Sequence, residues 1–298
     1  MNGLRIPVAT YRLQFNKEFP FSRAGKLVPY LNALGITDVY SSPIFQAQRG
    51  STHGYDVTDP NRLNPELGGK DEFDHFAVTL KSYEMGLLMD IVPNHMAASI
   101  ENPWWLDVLR NGRESSFASY FDINWAPTQP GLKNKVLLPV LGAPYGEILE
   151  NQELSLIYDQ NGFWISYYEN SWPVSPKSYG LILGRQIKAL DEEVPGVRQL
   201  FNLIKEQAFE TRFAGAVDEL WQLYNSSTQV KAYMDNVMQD INGTKGNPCS
   251  FNFLHRLMEG QAYRLAYWRV ANQQINYRRF FNVNDKVSVR MERESVFS

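Results

Sequence analysis

An α/β fold built on a parallel sheet is what the first 97 residues predict. Three observations carry this. β-Branched and aromatic runs alternate with segments of helical spacing, glycines punctuate the ends of those helical segments, and the connections after the second and third apolar runs are long and polar.

The elements follow in order. IPVATYRLQF, residues 6 to 15, reads as a β-branched and aromatic strand. Ser22 begins a helix with Leu27, Leu31 and Leu34 on one face and Gly35 as its stop. ITDVYSSPI, residues 36 to 44, is the next strand, and QAQRGSTHGYDVTDPNRLNPELGG is the polar connection behind it. Asp71 caps a second helix carrying Phe73, Phe76, Leu80 and Tyr83 at helical spacing, with Gly86 at its end. A third strand follows over residues 87 to 92, within LLMDIVPNHM.

From about residue 98 the rhythm stops. NPWWLDVLRNG predicts a short helix ended by Gly112, and residues 153 to 169 a hairpin turning at Asn161-Gly162. Residues 195 to 241 carry helical spacing, INGTKGNP is a loop, and FLHRLMEGQAYRLAYWRVA predicts a last helix. We divide the chain at 1–97, 98–250 and 251–298: a first βα part, an insertion, and a helix and connection that return toward the first part. Three strands in 97 residues, followed by so long an insertion, leave no room for five further βα units of roughly 30 residues each. On this arithmetic the chain is either not a barrel or a portion of one. Three parallel strands alone also leave an open sheet edge, which is an aggregation hazard.

Composition excludes several classes. The 298 residues are 44% hydrophobic and 20% charged, with a net charge of −3 and no Lys/Arg run, which argues against a nucleic-acid partner. No stretch approaches the ~18 apolar residues of a membrane span, and the N-terminus lacks an apolar signal region. Cys249 is the sole cysteine, which fits a reducing cytoplasm. Aromatics at 13% suit either core packing or a pocket of flat faces for sugar rings.

Two polar clusters carry candidate chemistry. Asp90, Asn94 and His95 fall where the third strand meets its loop, with Pro93 forcing the turn. Alone, this is also what any strand looks like as it reaches water. GSTHGYDVTDP supplies His53, Tyr55, Asp56 and Asp59, and its bland reading is a solvated turn. Turning does not require Tyr or His, and both clusters belong at one end of one sheet, where parallel α/β folds place their sites.

These residues resemble a known family. His53-Gly54-Tyr55-Asp56 followed by Asp90-Ile-Val-Pro-Asn94-His95 is similar to the α-amylase superfamily, glycoside hydrolase family 13. ATYRLQF, SSPIFQAQRGSTHGYDVTDPNRLNPELGG, DIVPNHMA, NPWWLDVLRNG, SSFASYFDINW and QAYRLAYWRVANQQINYRRFFNVN resemble its trehalose-forming branch, nearly from end to end. The resemblance implies a partial (β/α)8 TIM barrel, its first three strands, with a large mostly helical insertion after strand 3. It implies that Tyr55 stacks on a sugar ring, that Asp56 and His53 hold sugar hydroxyls, and that Asp90 orients the catalytic centre. Asn94 would fix the strand-end loop, and His95 would donate to the scissile glucose. Arg278, with Tyr277 and Arg279, matches a family signature and is a candidate glucan contact or packing residue.

The implied reaction is intramolecular transglucosylation of a malto-oligosaccharide, turning its reducing-end α-1,4 bond into an α,α-1,1 bond, in functional partnership with a trehalose-releasing hydrolase. Two carboxylates suffice for this chemistry, so no cofactor and no metal are expected. In this superfamily the nucleophilic Asp lies on the fourth barrel strand, and the acid/base Glu and a third Asp lie on later ones. We place none of these in the chain, and Glu292 and Glu294 sit outside the expected motif. The chain is therefore expected to be an N-terminal portion, inactive alone. A hydrolase of the same superfamily and a non-catalytic glucan-binding remnant are the competing readings. Trp104, Trp105, Trp164 and Trp172 would wall a closed pocket or form the insertion's own core.

Overall fold

The computed structural model describes residues 6–297 except 186, 188, 189, 191–193, 195 and 207–212. The chain forms two compact units, Met1–Pro103 with Arg279–Ser298, and Trp104–Arg278.

In the first unit, β1 (Thr10–Leu13), α1 (Phe21–Ala33), β2 (Asp38–Ser41), α2 (Gly69–Ser82) and β5 (Gly86–Met89) realise the predicted alternation. The sheet order is β1-β2-β5, parallel, with Arg12 opposite Tyr40 and Tyr40 opposite Leu88. Two further strands, β3 (Phe45–Ala47) and β4 (Val57–Leu63), form an antiparallel hairpin inside the connection read as irregular. Asp, Pro and Asn at its centre hid it, because they belong to turns in any single-sequence reading. β6 (His95–Ala97) pairs antiparallel with β12 (Lys286–Ser288), contributed by the C-terminal return.

The core seam differs from the predicted one. α1 buries Phe21, Ala24, Val28 and Leu31, whereas Leu27 and Leu34 are 37% and 55% exposed. Phe21 sets the phase: its ring lies 5.1 Å from Phe15, itself 5.9 Å from Phe76 of α2. Leu34 is the C-cap, and Gly35 at φ +85° makes the predicted stop. α2 is preceded by Gly68, not capped by Asp71, which lies in its first turn and favours the helix dipole there. Glu72 accepts the Ser22 N–H at 3.2 Å, so α2 satisfies an otherwise orphaned donor at the start of α1. Phe76 and Leu80 are buried as predicted, Tyr83 is exposed, and Gly86 opens β5 instead of ending α2.

The second unit mixes helices with strands. α3 (Pro103–Asn111) ends at Gly112, at φ +61°, as the sequence predicts. β8 (Leu154–Asp159) and β9 (Gly162–Tyr167) form the predicted hairpin, and β10 (Asn170–Pro173) adds a third strand. Its turn residues are Gln160 and Asn161, with Gly162 already in β9 at φ +108°. The helical spacing of 195 to 241 yields α6 (Val197–Glu206), α7 (Phe213–Ser226) and α8 (Thr228–Ile241), with 195 and 207–212 outside the described residues. Two shorter helices, α4 (Tyr145–Glu150) and α5 (Tyr179–Leu183), precede them.

The last predicted helix is half strand. α9 (Asn252–Glu259) stops at Gly260, and β11 (Tyr263–Tyr267) pairs parallel with β7 (Val136–Leu141). YRLAY alternates apolar and polar with period two, and its partner lies far earlier in the chain. Trp105, Trp164 and Trp172 are buried in this unit, and Trp104 is half-buried with its ring stacked on Phe117 at 5.7 Å. Most of these tryptophans therefore belong to the unit's own packing. No helix among the described residues is long and apolar enough to cross a membrane.

Candidate active site

β5 ends at Met89, so Asp90 emerges at the C-terminal edge of the parallel sheet. The adjacent strands deliver Arg12 and Tyr40 beside it, because the parallel register sets Arg12 against Tyr40. The hairpin loop between β3 and β4 carries Tyr55 to the same place. Tyr55 donates its hydroxyl to Asp90 Oδ2 at 2.5 Å, and Tyr40 donates to that oxygen at 3.2 Å. Arg12 Nη2 donates to the Tyr55 hydroxyl at 3.0 Å and lies 3.8 Å from Asp90. One carboxylate thus gathers two phenols and a guanidinium from three strand ends and a loop. Gln14 braces the group, accepting from Arg12 Nη1 at 2.8 Å and donating to the Thr52 carbonyl at 3.2 Å.

The electrostatics follow from those contacts. The hydrogen bond to Asp90 favours the protonated phenol of Tyr55 and raises its pKa, burial acts the same way, and Arg12 opposes both. Tyr55 therefore stays a donor at neutral pH, with its ring fixed by its own hydroxyl.

His95 opens β6, opposite Ser288 of β12, and is buried. Its Nε2 lies 3.0 Å from the Tyr55 carbonyl, which can only accept, so Nε2 carries the proton. Burial lowers the imidazole pKa and keeps the ring neutral, leaving Nδ1 as an acceptor. Asn94 Oδ1 lies 2.8 Å from Nδ1, and a neutral ring protonated on Nε2 is satisfied there only with the carboxamide turned over to present its NH2. Phe280, from the C-terminal return, stacks on the imidazole with centroids 4.1 Å apart and planes 24° apart.

The loop itself is held internally. His53 Nδ1 accepts the Tyr55 N–H at 3.0 Å and lies 3.7 Å from Asp56. Asp56 is buried and accepts the Ser51 hydroxyl at 2.5 Å. Gly54 adopts φ +77°, and a Cβ there would stand 2.6 Å from the Pro43 carbonyl oxygen, so only glycine lets the loop lie this close.

Of the sequence candidates, Asp90, Asn94, His95, Tyr55, His53 and Asp56 come together in the first unit. Arg278 belongs to the second unit, where it is exposed and its backbone N–H donates to the Asp122 carbonyl. Tyr277 is buried there against Trp105 at 5.4 Å. Sequence reasoning missed Arg12, Tyr40, Gln14 and Phe280 as site residues. The available signal was the charged Arg12 within ATYRLQF, near the strand's C-terminal end, where parallel α/β folds place their sites.

Residues 25–150, under half of the chain, match the α-amylase catalytic-domain family model. Solved structures titled maltooligosyl trehalose synthase are similar to nearly the whole chain. A putative maltooligosyl trehalose synthase of Mycobacterium tuberculosis H37Rv is 43% identical over 143 residues, covering 46% of this chain and 18% of that protein. The maltooligosyltrehalose synthase structure from Arthrobacter ramosus is 29% identical, with a TM-score of 0.64, over 98% of this chain and 28% of its own. The intracellular maltogenic amylase of Bacillus subtilis is 34% identical over 98 residues, covering only 33% of this chain. The chain spans under a third of the length of the solved relatives named here.

Proposed function

We propose that this chain is the glucan-gripping portion of a trehalose-forming transglucosylase, which rearranges the reducing end of a malto-oligosaccharide from an α-1,4 to an α,α-1,1 linkage. The observation that carries this reading is the extent of the likeness. Solved glycosyltrehalose and maltooligosyl trehalose synthases cover 97–98% of the chain, the second unit included, at 26–29% identity. The likeness to the maltogenic amylase of Bacillus subtilis covers a third of it. On this reading the sheet β1-β2-β5 is the first three strands of a (β/α)8 barrel, and the second unit is the insertion after strand 3.

The site is suited to holding a sugar in place. Tyr55 offers a flat face whose hydroxyl is already spent on Asp90, so stacking costs no further ordering. His95 donates through Nε2, and a sugar oxygen would replace the Tyr55 carbonyl as acceptor. Retaining transfer needs two carboxylates about 5–5.5 Å apart, one attacking and one protonating. Asp90 is engaged by two phenols and a guanidinium, and we assign it positioning work. Attack and protonation fall to carboxylates other than Asp90.

The test is product analysis on the enzyme that contains these residues together with a nucleophile. Reducing ends should disappear from maltopentaose without release of glucose. Reducing sugar appearing in step with bond cleavage would identify the hydrolytic alternative.

A further inference from the structure

The second unit holds an open cavity of about 550 Å³ where four segments meet: the end of α3, the approach to β7, residues 175–177, and the turn between α9 and β11. Its walls are tied together by the fold. Gln261, in that turn, is buried; it accepts the Ser175 N–H at 2.7 Å and donates to the Leu257 carbonyl at 2.6 Å and the Ser178 hydroxyl at 3.2 Å. A Cβ on Gly112 would stand 2.9 Å from the Cβ of Ala262, so glycine is what brings the end of α3 this close. On the approach to β7, Asn134 sits at φ +59° and donates its N–H to the Trp125 carbonyl at 2.8 Å.

The charge in this cavity is one-sided. Arg113, Lys133, Lys135 and Lys177 line it against Glu114 and Glu259, in a chain whose net charge is −3. Lys177 and Glu114 pair at 2.7 Å and neutralise each other. The side chains of Arg113 and Lys133 make no ion pair or hydrogen bond among the described residues. Lys135 is the most informative. Its side chain is only 14% exposed, yet its ammonium donates at 2.7 Å to the backbone carbonyl of Glu259, whose carboxylate stands at 3.5 Å. A buried charge is costly unless closely paired, and here the nearest acceptor is a neutral one. An ammonium has three donors, so one is left for a ligand.

The remaining lining defines what else the ligand carries. Ala262 supplies the one apolar side chain among the lining residues, so a nucleobase or an acyl chain finds no face to rest on. The volume falls in the ~300–1,000 Å³ range of small-molecule sites, more than a bare oxyanion fills. A phosphate monoester carries about two negative charges at neutral pH, which matches the excess of cations.

We propose that this cavity binds a phosphorylated sugar, its phosphate held by Arg113, Lys133 and Lys135 and its hydroxyls by the polar lining around them. The proposal is independent of the glucan reading.

The experiment is calorimetric titration of the 298-residue chain with glucose 6-phosphate, glucose and inorganic phosphate, with a thermal melt of each variant. Wild type should bind glucose 6-phosphate saturably, inorganic phosphate about tenfold more weakly, and glucose without detectable heat. Added sodium chloride should weaken the ester. Lys135→Met should lower its affinity about tenfold or more, and the double variant Arg113→Ala with Lys133→Ala about fivefold or more. Arg113 and Lys133 are exposed, so the double variant carries the test if Lys135→Met melts early. Lys70→Ala, which removes a 75% exposed lysine from α2, should bind as wild type. Four results overturn the proposal: no binding by wild type, glucose or inorganic phosphate bound as tightly as the ester, unchanged affinity in the double variant, or an equal loss in Lys70→Ala.

Discussion

Asp90 binds its neighbours through one oxygen, and that makes Tyr55 the residue whose removal is most informative. Tyr55→Phe keeps the ring and deletes the donor to Asp90 and the acceptor for Arg12. With both partners still partly solvated, we expect a stability loss of about 1 kcal/mol in urea unfolding and a weaker grip on maltopentaose. An unchanged midpoint and unchanged affinity would show that the hydroxyl bridge holds nothing in place. His95 sets a pH dependence. Its folded pKa is lowered by burial, so below about pH 6.5 the unfolded chain takes up a proton that the folded ring resists. The unfolded state then binds more protons, and stability falls as the pH drops through that region. Above it the contribution is flat. His95→Gln should flatten the acid limb of a melting-temperature profile between pH 7 and 5, and an equally steep limb would assign the effect to other groups.

Among the elements, the aromatic seam between α1 and α2 carries the first unit. Phe76 is fully buried against Phe15 and Phe21, so Phe76→Ala should cost about 3–5 kcal/mol, read as a lowered unfolding midpoint. The elements legible in the sequence were those whose signal is local. β1, α1, β2, α2 and β5 announce themselves by period and punctuation, as does the β8–β9 hairpin. The β3–β4 hairpin and β11 were not legible. The first is written in turn residues, and the second is a strand only because distant β7 pairs with it. The same division holds in the site. Asp90, His95 and Tyr55 stand in short motifs. Arg12 and Tyr40 are single side chains that become site residues only through the parallel register of three strands. Phe280 arrives by way of the β12–β6 pairing, from the other end of the chain.

At the level of the whole molecule, the parallel sheet has β1 and β5 at its margins, and apolar side chains stand open there. Leu88 and Met89 of β5 are 40% and 49% exposed, and Ile91 just beyond is 59% exposed. An open strand with apolar side chains is a pairing template. The isolated chain should therefore self-associate at micromolar concentration by sedimentation velocity, and Leu88→Lys should reduce this. Concentration-independent monomer would mean that this margin is already protected. The α-amylase family match stops at residue 150, partway into the second unit, whereas the solved trehalose-forming relatives cover nearly the whole chain; the first unit carries the assembled residues. The central claim is that those residues form a glucan site. Calorimetric titration of the 298-residue chain with maltopentaose tests it most directly. The account predicts saturable heat that weakens in Tyr55→Phe. No detectable heat at millimolar ligand, or heat indifferent to that substitution, would contradict it.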